Sequence, residues 1–575
     1  MTAPRLVAGL ALLVAAHTPA QDLVWEKLGV PEKSWISGTV VVLGDVDRDG
    51  HDDLLAIVTA LRDGPGGSVI QETQLWTLSG RDGRTLRVRP MYALQRPYFR
   101  IAAAGDMDGD GMPDYAALVL DQRNPPSVNL VEVRSGKDDR LIWQVQGAWK
   151  LLFGSSLLGG LDLDGDRRPD LVVTAPRWPN GDSHPGAVYA YSSKGKLLYR
   201  VNGDSRLEIG SFMGGGTLGR LGDLDRDGAD DFVVGGIDKV AGLGAGIVLS
   251  GRTGKVLLKG LSPYPREALG HAVAGCGDLD GDGVPDFAVS SAGGTFEYGA
   301  VATFSGRTGK VLWSARKTRA SSSFGESLAS GGQDFDRDGV PDLVVAAPRE
   351  WVGRNVYGAV YVYSGRDGSL IHRLTGCLAP NPCYSALPGH DLAALRPQPG
   401  GRFPLFAVAG PRYGSYYVKR WSGFLYRGRL RLFRGSPSGV RVFGKACAGT
   451  LRTTPRIGMR DLGSKGVRIH LSGGAPGARA FLLLGLSRSR WGGARLPLAL
   501  DPFGFPGCRL FTSIDLVAAV TTGGTGLGRG YAFLDLPLPL AKAGKGSFTL
   551  HGQWLSLGQG GTAPGGLSEA MRWRH

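Results

Sequence analysis

The chain has 575 residues with 42 % hydrophobic and 20 % charged residues and a formal net charge of +15, which excludes a disordered polymer. Its 92 glycines among 575 residues make up about twice the usual glycine share of roughly 7 %, but they show no collagen-like period. Glycine spread among short apolar runs is typical of many tight turns and predicts an all-β protein.

The charge is unevenly distributed along the chain. Residues 401–575 contain 25 basic and 5 acidic residues, whereas the remainder contains 41 basic and 46 acidic residues. An acidic front and a basic tail predict at least two domains with different surfaces.

The first 20 residues have the pattern of a secretory signal peptide. Arg5 provides a basic start, residues 6–16 form an apolar run too short to span a bilayer, and small residues at 18–20 permit cleavage after Ala20. A buried N-terminal helix is the alternative. No later apolar run is long enough for a transmembrane helix. The protein is therefore expected to be secreted, and extracellular or at the cell surface.

An Asp-x-Asp-x-Asp-x-x-x-Asp pattern, with glycine at position 6 in five copies, occurs six times, with its first residue at Asp45, Asp106, Asp162, Asp223, Asp278 and Asp334. Each copy precedes a short apolar run, and a strand ending in Ser-Gly or a related pair follows. This content of about four strands per repeat is typical of one propeller blade. A seventh repeat without the acidic pattern lies near Asp391, so seven blades are predicted over residues 22–443. Residues 22–29 are favoured as the strand that closes the ring, and residues 440–443 compete for that place.

The acidic pattern predicts a cage of oxygen ligands for calcium. Carboxylates at positions 1, 3, 5 and 9 and the carbonyl of position 7 supply the six to eight oxygens that calcium takes, and glycine at position 6 permits the turn. In the third copy Arg167 replaces that glycine, which makes this loop the least typical. Position 12 is apolar in all six copies, which excludes EF-hands. Up to six Ca²⁺ ions are expected.

The predicted ligands fall into six groups of five. They are Asp45, Asp47, Asp49, His51 and Asp53; Asp106, Asp108, Asp110, Met112 and Asp114; Asp162, Asp164, Asp166, Arg168 and Asp170; Asp223, Asp225, Asp227, Ala229 and Asp231; Asp278, Asp280, Asp282, Val284 and Asp286; and Asp334, Asp336, Asp338, Val340 and Asp342.

With these residues in place, residues 22–443 resemble the FG-GAP repeats of the integrin α-subunit propeller, which also occur in secreted bacterial proteins. The name-giving pairs are Phe153-Gly154, Phe324-Gly325 and Leu269-Gly270 before the acidic loops, and Ala175-Pro176, Ala347-Pro348 and Gly410-Pro411 after them. The resemblance implies calcium in the acidic loops and a ligand on the opposite face or in the central depression. It does not imply which ligand.

Residues 444–575 lack the repeat, and their short apolar stretches predict a basic C-terminal β-sandwich of seven or eight strands. Its positive charge favours an anionic surface such as a polysaccharide or lipid headgroups, with an ordinary basic surface as the alternative. Nucleic acid is not an expected partner of a secreted chain without a recognised module. Disulfides are predicted between Cys377 and Cys383 and between Cys447 and Cys508, with Cys276 as a buried thiol.

No HExxH, Walker or GxSxG motif occurs, and the histidines do not recur at one blade position. The expected function is non-catalytic binding or adhesion to an extracellular protein or polysaccharide. The alternatives are a secreted carbohydrate-active enzyme, either a polysaccharide lyase or a hydrolase, and a structural component of the cell envelope.

Overall fold

The computed structural model consists of β-strands and turns, and the residues that it describes contain no α-helix. In that part of the chain no helix has the length and hydropathy needed to cross a membrane. The described residues are 23–28, 34–63, 69–91, 100–121, 128–148, 152–176, 185–210, 217–264, 270–291, 299–317, 322–330, 332–352, 355–356, 358–375, 391–395, 405–418, 423–434, 440–443, 455–461, 467–474, 478–485, 490–491, 494–499, 509–512, 514, 516–521, 530–536, 549–556 and 566–574.

Strand β1 (Leu23–Leu28) precedes three antiparallel four-stranded sheets, blades 1 to 3. Blade 1 contains β2 (Ser34–Gly44), β3 (Asp53–Asp63), β4 (Val69–Leu78) and β5 (Thr85–Met91). Blade 2 contains β6 (Ile101–Gly105), β7 (Asp114–Asp121), β8 (Val128–Arg134) and β9 (Leu141–Ala148). Blade 3 contains β10 (Leu157–Leu161), β11 (Asp170–Ala175), β12 (Ala187–Tyr191) and β13 (Leu197–Asn202).

Blades 4 to 6 repeat this order with small additions. Blade 4 contains β14 (Leu207–Ile209), β15 (Leu218–Gly222), β16 (Asp231–Asp238), β17 (Leu243–Leu249) and β18 (Val256–Leu261). Blade 5 contains β19 (Ala272–Gly277), β20 (Asp286–Ser291), β21 (Ala300–Phe304) and β22 (Val311–Arg316). Blade 6 contains β23 (Leu328–Ala329), β24 (Leu343–Ala347), β27 (Ala359–Tyr363) and β28 (Leu370–Thr375), with the hairpin β25 (Trp351–Val352) and β26 (Asn355–Val356) between β24 and β27.

The burial of the strands follows their place in the blade. In blade 5, every residue of β20 and β21 is buried, because both faces of these middle strands pack against neighbouring blades. The outer strand β22 is more exposed, since three of its six residues are exposed, two are partly buried and only Trp313 is buried. Continuous apolar runs therefore form the middle strands, and mixed polar and apolar runs form the outer strand.

The aromatic residue of the FG pair packs between blades. Phe153 is buried, and its ring meets that of Tyr189 edge to face with centroids 5.3 Å apart. Phe324 has the same relation to Tyr361, at 5.5 Å. Edge-to-face packing is a preferred aromatic geometry. This aromatic packing explains why the pair occurs at blade 3 and again at blade 6.

A further sheet combines both ends of the repeat region. It has the order β1-β31-β30-β29, with β29 (Asp391–Leu395), β30 (Leu405–Val418) and β31 (Gly423–Arg434). Its apolar residues pack on one side against blade 1 and on the other against blade 6. The predicted pairing of the N-terminal strand is found, since β1 runs antiparallel to β31.

The predicted count of seven blades, the seventh without a metal loop, is corrected to six by the structure. Six sheets have the full repeat with its acidic loop, and the sheet of β1, β29, β30 and β31 departs from it. The reason is its assembly from two ends of the chain, with strands of 14 and 12 residues at β30 and β31.

The chain then forms two larger sheets and two short hairpins. A five-stranded sheet has the order β32-β43-β42-β35-β40, with β32 (Val440–Phe443), β35 (Arg479–Gly485), β40 (Leu516–Thr521), β42 (Thr549–Ser556) and β43 (Gly566–Arg574). A three-stranded sheet contains β33 (Arg456–Asp461), β34 (Val467–Gly474) and β41 (Gly530–Leu536). The hairpins pair β36 (Arg490–Trp491) with β37 (Ala494–Arg495), and β38 (Leu498–Ala499) with β39 (Arg509–Leu510). The strand that competed to close the ring, β32, pairs with β43 instead.

Cys276 is a buried free thiol in β19, as predicted. Burial raises the pKa of this thiol to about 12, and the charge of Asp286 acts in the same direction. The other four cysteines lie outside the described residues, so their two disulfides stay predictions.

Candidate metal centre

The acidic loops, numbered 1 to 6 with their blades, connect a first strand to the buried strand beside it. The backbone of each loop turns twice through the left-handed region, at positions 4 and 6. At position 6, φ is +87° for Gly50 and +89° for Gly339. Arg167 occupies the same position in loop 3 with φ of 65°, so this loop keeps the turn despite its side chain.

Position 4 was not singled out from the sequence, although it also needs this conformation. Three of these residues are arginines, with φ of 60° at Arg48, 64° at Arg226 and 63° at Arg337. The others are glycines, for example Gly109 with φ of 77°. In the sequence, the available signal for this conformation was that position 4 is either glycine or arginine in all six copies.

Within each loop, backbone amides hold the first three carboxylates. In loop 1 the two oxygens of Asp45 accept hydrogen bonds from the amides of Asp49 and Gly50, at 3.0 and 2.9 Å. Asp47 Oδ1 accepts from the amide of Asp49 at 3.2 Å, and Asp49 Oδ1 accepts from that of His51 at 3.0 Å. Such Asx turns tie an aspartate side chain to the backbone amide two residues later. The carboxylates are therefore ordered by the loop itself.

This folding brings acidic groups together as the sequence predicts. In each group an oxygen from every carboxylate lies within 4.8 Å of the others. The groups include Asp45, Asp47 and Asp53; Asp106, Asp108 and Asp114; Asp162, Asp164 and Asp170; Asp223, Asp225 and Asp227; and Asp278, Asp280 and Asp282. In loop 6 the same amide bonds hold Asp334, Asp336 and Asp338.

The aspartate at position 9 has a structural role that the sequence did not reveal. It is buried in every loop and accepts hydrogen bonds through both oxygens. Asp114 Oδ2 accepts from the amide of Met107 at 2.8 Å, and its Oδ1 accepts from the amide of Gly136 at 3.0 Å. Asp342 makes the equivalent bonds to Phe335 and Gly365, at 2.6 and 3.0 Å. This side chain thus ties the acidic loop to the Ser-Gly turn of the same blade.

The glycine of the Ser-Gly turn is required by this contact. A Cβ on Gly136 would lie 1.8 Å from the carbonyl oxygen of Pro113, and one on Gly365 would lie 1.7 Å from that of Pro341. Gly80, Gly251 and Gly306 are equally close to the residue before their own position-9 aspartate. Only blade 3 differs, because Ser193 donates the equivalent hydrogen bond to Asp170. The recurrence of Ser-Gly in phase with the acidic loops was its sequence signal.

Burial and mutual repulsion make these carboxyls hard to ionise without a cation. Desolvation, together with the charge of the position-3 carboxylate in the same loop, raises the pKa of Asp53, Asp114, Asp231 and Asp286 to about 6. The pKa of Asp170 is raised to about 7 for the same reasons. A bound cation would favour the ionised form.

One oxygen tests whether the residues fit a metal ion. Asp49 Oδ2 is buried from solvent and has no hydrogen-bond donor among the described residues. A buried carboxylate oxygen without a donor is unfavourable, and a cation in loop 1 would satisfy it. The donor set contains carboxylates and no thiol, which suits calcium or magnesium rather than zinc.

The residues predicted to bind through position 7 take part in the loop through their amides. The amides of Met112 and Val284, for example, donate to Asp110 and Asp282 at 2.9 and 2.8 Å. His51 also brings its ring Nδ1 to 3.1 Å from Asp49 Oδ1. Their carbonyl ligation stays a prediction, as it does for Arg168, Ala229 and Val340.

The position-12 residues lie inside buried strands, with Ala56 in β3 and Val289 in β20 both fully buried. The loops therefore join strands, as the exclusion of EF-hands requires.

Basic side chains from the Ser-Gly turn pair with the outer carboxylate oxygens. In blades 1 and 2 they bind position 3, where Arg84 lies 2.8 Å from Asp47 and Arg140 lies 2.6 Å from Asp108. In blade 5 Arg307 binds position 5, donating to Oδ2 and to the carbonyl of Asp282 at 2.7 and 2.9 Å. These arginines offset part of the negative charge from outside the cluster.

Sequence comparison finds known proteins that are similar to parts of this chain. Residues 153–191 and 324–363 match the FG-GAP repeat. Integrin alpha-X of Mus musculus is 30 % identical over 204 residues, which make up 31 % of this chain and 16 % of that protein. Integrin alpha-5 of Xenopus laevis is 31 % identical over 217 residues, 34 % of this chain and 20 % of that protein. The chain therefore spans a fifth or less of the length of these relatives.

Structural comparison is less informative. The crystal structure of exotype rhamnogalacturonan lyase YesX has a TM-score of 0.40 at 16 % identity, covering 72 % of this chain and 75 % of that one. With a TM-score below 0.5, this likeness carries no argument about function. The matches in sequence and the observed sheets show that the chain contains FG-GAP repeats, is related to integrin α chains and forms a β-propeller.

Proposed function

We propose that the chain is a secreted protein whose propeller, residues 22–443, binds up to six calcium ions and presents a non-catalytic binding surface to an extracellular protein or polysaccharide. The repeated cluster of ordered carboxylates carries this proposal. In the proposal, residues 1–20 are a signal peptide and residues 444–575 are a basic β-sandwich domain.

Calcium is favoured over other cations by the number and type of oxygens. Four carboxylates and one carbonyl in each loop provide most of the six to eight ligands that calcium takes. Magnesium usually keeps several waters and is held by one or two carboxylates. The pairing of Asp47 with Arg84 and of Asp108 with Arg140 leaves the inner oxygens of these carboxylates for the ion.

The acidic loops and the Ser-Gly turns lie on one face of the propeller, since the position-9 aspartates join them. Calcium on that face stabilises the blades and leaves the opposite face and the central depression for the ligand. Relatives of the integrin α type support an extracellular location and ligand.

The metal proposal is tested by calorimetric titration of the metal-free chain with Ca²⁺. Asp49→Asn should remove or weaken one ion by about tenfold or more, because it alters the unsatisfied oxygen in loop 1. Asp82→Asn is the matched control, because Asp82 is an exposed aspartate of the same blade outside the acidic loop, and asparagine keeps the oxygen that accepts from the amide of Arg84 at 3.0 Å. Equal titrations for both variants would contradict the assignment of loop 1.

The ligand proposal is tested on a panel of polysaccharides and extracellular proteins, with binding and product formation measured together. Saturable binding without product supports a binding protein. Turnover of a polysaccharide would instead support the lyase or hydrolase. Salt-sensitive retention on an anionic matrix would support the proposed role of the basic tail, and neither binding nor turnover would favour a structural envelope component.

A further inference from the structure

Loop 6 differs from the other acidic loops because a later part of the chain packs over it. The side chains of Asp336 and Asp338 are fully buried, whereas that of Asp227 in loop 4 is 25 % exposed and that of Asp282 in loop 5 is 26 % exposed. The cover is the three-stranded sheet β33-β34-β41 of the basic tail. Gly458 of β33 lies so close that a Cβ there would be 2.0 Å from the carbonyl oxygen of Asp336.

A closed series of side-chain contacts joins this sheet to the loop. His470 Nε2 lies 3.6 Å from Asp336 Oδ2, and its Nδ1 lies 2.8 Å from the hydroxyl of Tyr531. The guanidinium of Arg366 lies 3.6 Å from the centroid of the Tyr531 ring. Arg366 then donates to Asp338 Oδ2 at 2.9 Å and to the Asp338 carbonyl at 3.0 Å. Asp336 is thus approached directly by His470 of β34, and Asp338 is linked to β41 through Arg366.

Comparison with the other loops shows what the sheet adds. The outer oxygen of the position-3 carboxylate is paired with Arg84 in loop 1 and with Arg140 in loop 2, both from the same blade. In loop 6 His470 of the tail takes that place. The bonds of Arg366 to position 5 repeat those of Arg307 in loop 5, and the contact with Tyr531 is added.

The charges make cation binding and the position of the sheet interdependent. When the sheet covers the loop, the carboxylates of Asp336 and Asp338 lose solvent and are fully buried, beside Asp342, whose position is buried in all six loops. Burying several like charges is strongly unfavourable unless opposite charge accompanies them. The guanidinium of Arg366 offsets only part of that charge. A divalent cation within the loop offsets the rest.

We infer that the sixth loop holds a divalent cation enclosed between the propeller and the tail, and that this cation couples the two. The inference rests on the cation binding proposed above and adds that one ion differs from the others. Because coupling is reciprocal, the covering sheet strengthens cation binding by the same factor by which the cation strengthens docking of the sheet. Enclosure also slows the release of this ion.

Release kinetics of the full chain test the enclosure. The Ca²⁺-loaded protein is mixed with a fluorescent calcium chelator, and the number of ions in each kinetic phase is counted. One ion per chain is expected to leave at least about tenfold more slowly than the others, within the usual range of coupling. A single phase for all ions would overturn the inference.

Arg366→Lys and Arg307→Lys form a matched pair of variants, because both arginines make the same bonds to position 5. Lysine keeps the charge but loses the planar contacts of the guanidinium. Arg366→Lys should abolish the slow phase and Arg307→Lys should keep it, whereas identical effects of the two variants would overturn the inference. His470→Gln is a second variant that should also speed release of the slow ion.

Hydrogen exchange separates failure of this inference from failure of the proposed function. With Ca²⁺, peptides from β33, β34 and β41 should gain about tenfold protection along with the acidic loops, whereas β35 and β42 of the other sheet should change little. Protection of loops 1 to 5 without any change in β33, β34 and β41 would overturn the coupling alone. No calcium-dependent change anywhere would overturn the proposed function itself, and the inference with it.

Discussion

Adding one methyl group at Gly136 should break the link between an acidic loop and its Ser-Gly turn. The Cβ of Gly136→Ala would lie 1.8 Å from the carbonyl oxygen of Pro113, while carbon and oxygen atoms in contact are usually about 3.3 Å or more apart. The backbone must therefore move by roughly 1.5 Å. Such a shift takes the amide of Gly136, now 3.0 Å from Asp114 Oδ1, out of hydrogen-bond range.

The expected loss follows from that bond. A hydrogen bond to a charged group contributes about 1.5–3 kcal/mol, so the free energy of unfolding of blade 2 should fall by that amount. Calcium binding in loop 2 should weaken as well, because Asp114 belongs to its acidic group.

Urea denaturation followed by tryptophan fluorescence, in metal-free buffer and with calcium, measures both effects. Ser193→Ala is the matched control: Ser193 occupies the equivalent turn of blade 3, and its backbone amide, which the substitution keeps, donates the same hydrogen bond to Asp170 Oδ1 at 2.8 Å. Because no Cβ is added there, the control should lose less than about 1 kcal/mol. If Gly136→Ala unfolds at the same urea concentration as the unaltered protein, the proposed role of this glycine is wrong.

Three further predictions concern protons, the buried thiol and calcium. The pKa of Asp53 and Asp114 is about 6 in the native state against an ordinary 3.8. Ionising these carboxyls therefore costs the folded state free energy, and this cost is absent below pH 4 and complete above pH 6. Dialysed metal-free protein should lose stability as the pH rises from 4 to 6. Saturating calcium should remove that loss, and parallel curves of denaturation midpoint against pH with and without calcium would contradict it. Cys276 should resist alkylation in the native protein and be the one cysteine labelled after denaturation without reductant, as peptide mapping will show; labelled Cys447 would refute the predicted bridge to Cys508. Calcium at about 100 times its dissociation constant should stabilise the propeller by roughly 2.7 kcal/mol per site. Differential scanning calorimetry with and without calcium measures this gain. Coincident melting curves would contradict the prediction.

The sequence was sufficient for features that depend on local pattern. The acidic loops precede buried strands as their spacing indicates, and Leu23–Leu28 pairs with β31 as its likeness to the last strand of a blade indicates. Arg167 made loop 3 the least typical one, yet the backbone reaches φ of 65° there. Hydrogen bonds to the amides of the loop outweigh the strain of one left-handed residue.

Contacts between distant segments could not be predicted in this way. The glycine of the Ser-Gly turn is required by a carbonyl of the acidic loop, such as that of Pro113 for Gly136, and this close approach exists only in the folded blade. The contact of His470 with Asp336 joins residues that no repeat relates, and it depends on how the tail packs on blade 6. Local propensity carries no information on such packing.

The number of calcium ions bound per chain is the most direct test of the central claim. Metal-free full-length protein is equilibrated by dialysis against buffered calcium, and bound metal is measured by atomic emission, together with a variant in which Asp47, Asp108 and Asp225 are all replaced by asparagine. The account predicts up to six ions for the unaltered chain, and about three fewer in the variant because the three aspartates belong to three separate acidic groups. No bound calcium in the unaltered chain, or the same number of ions in both proteins, would contradict it.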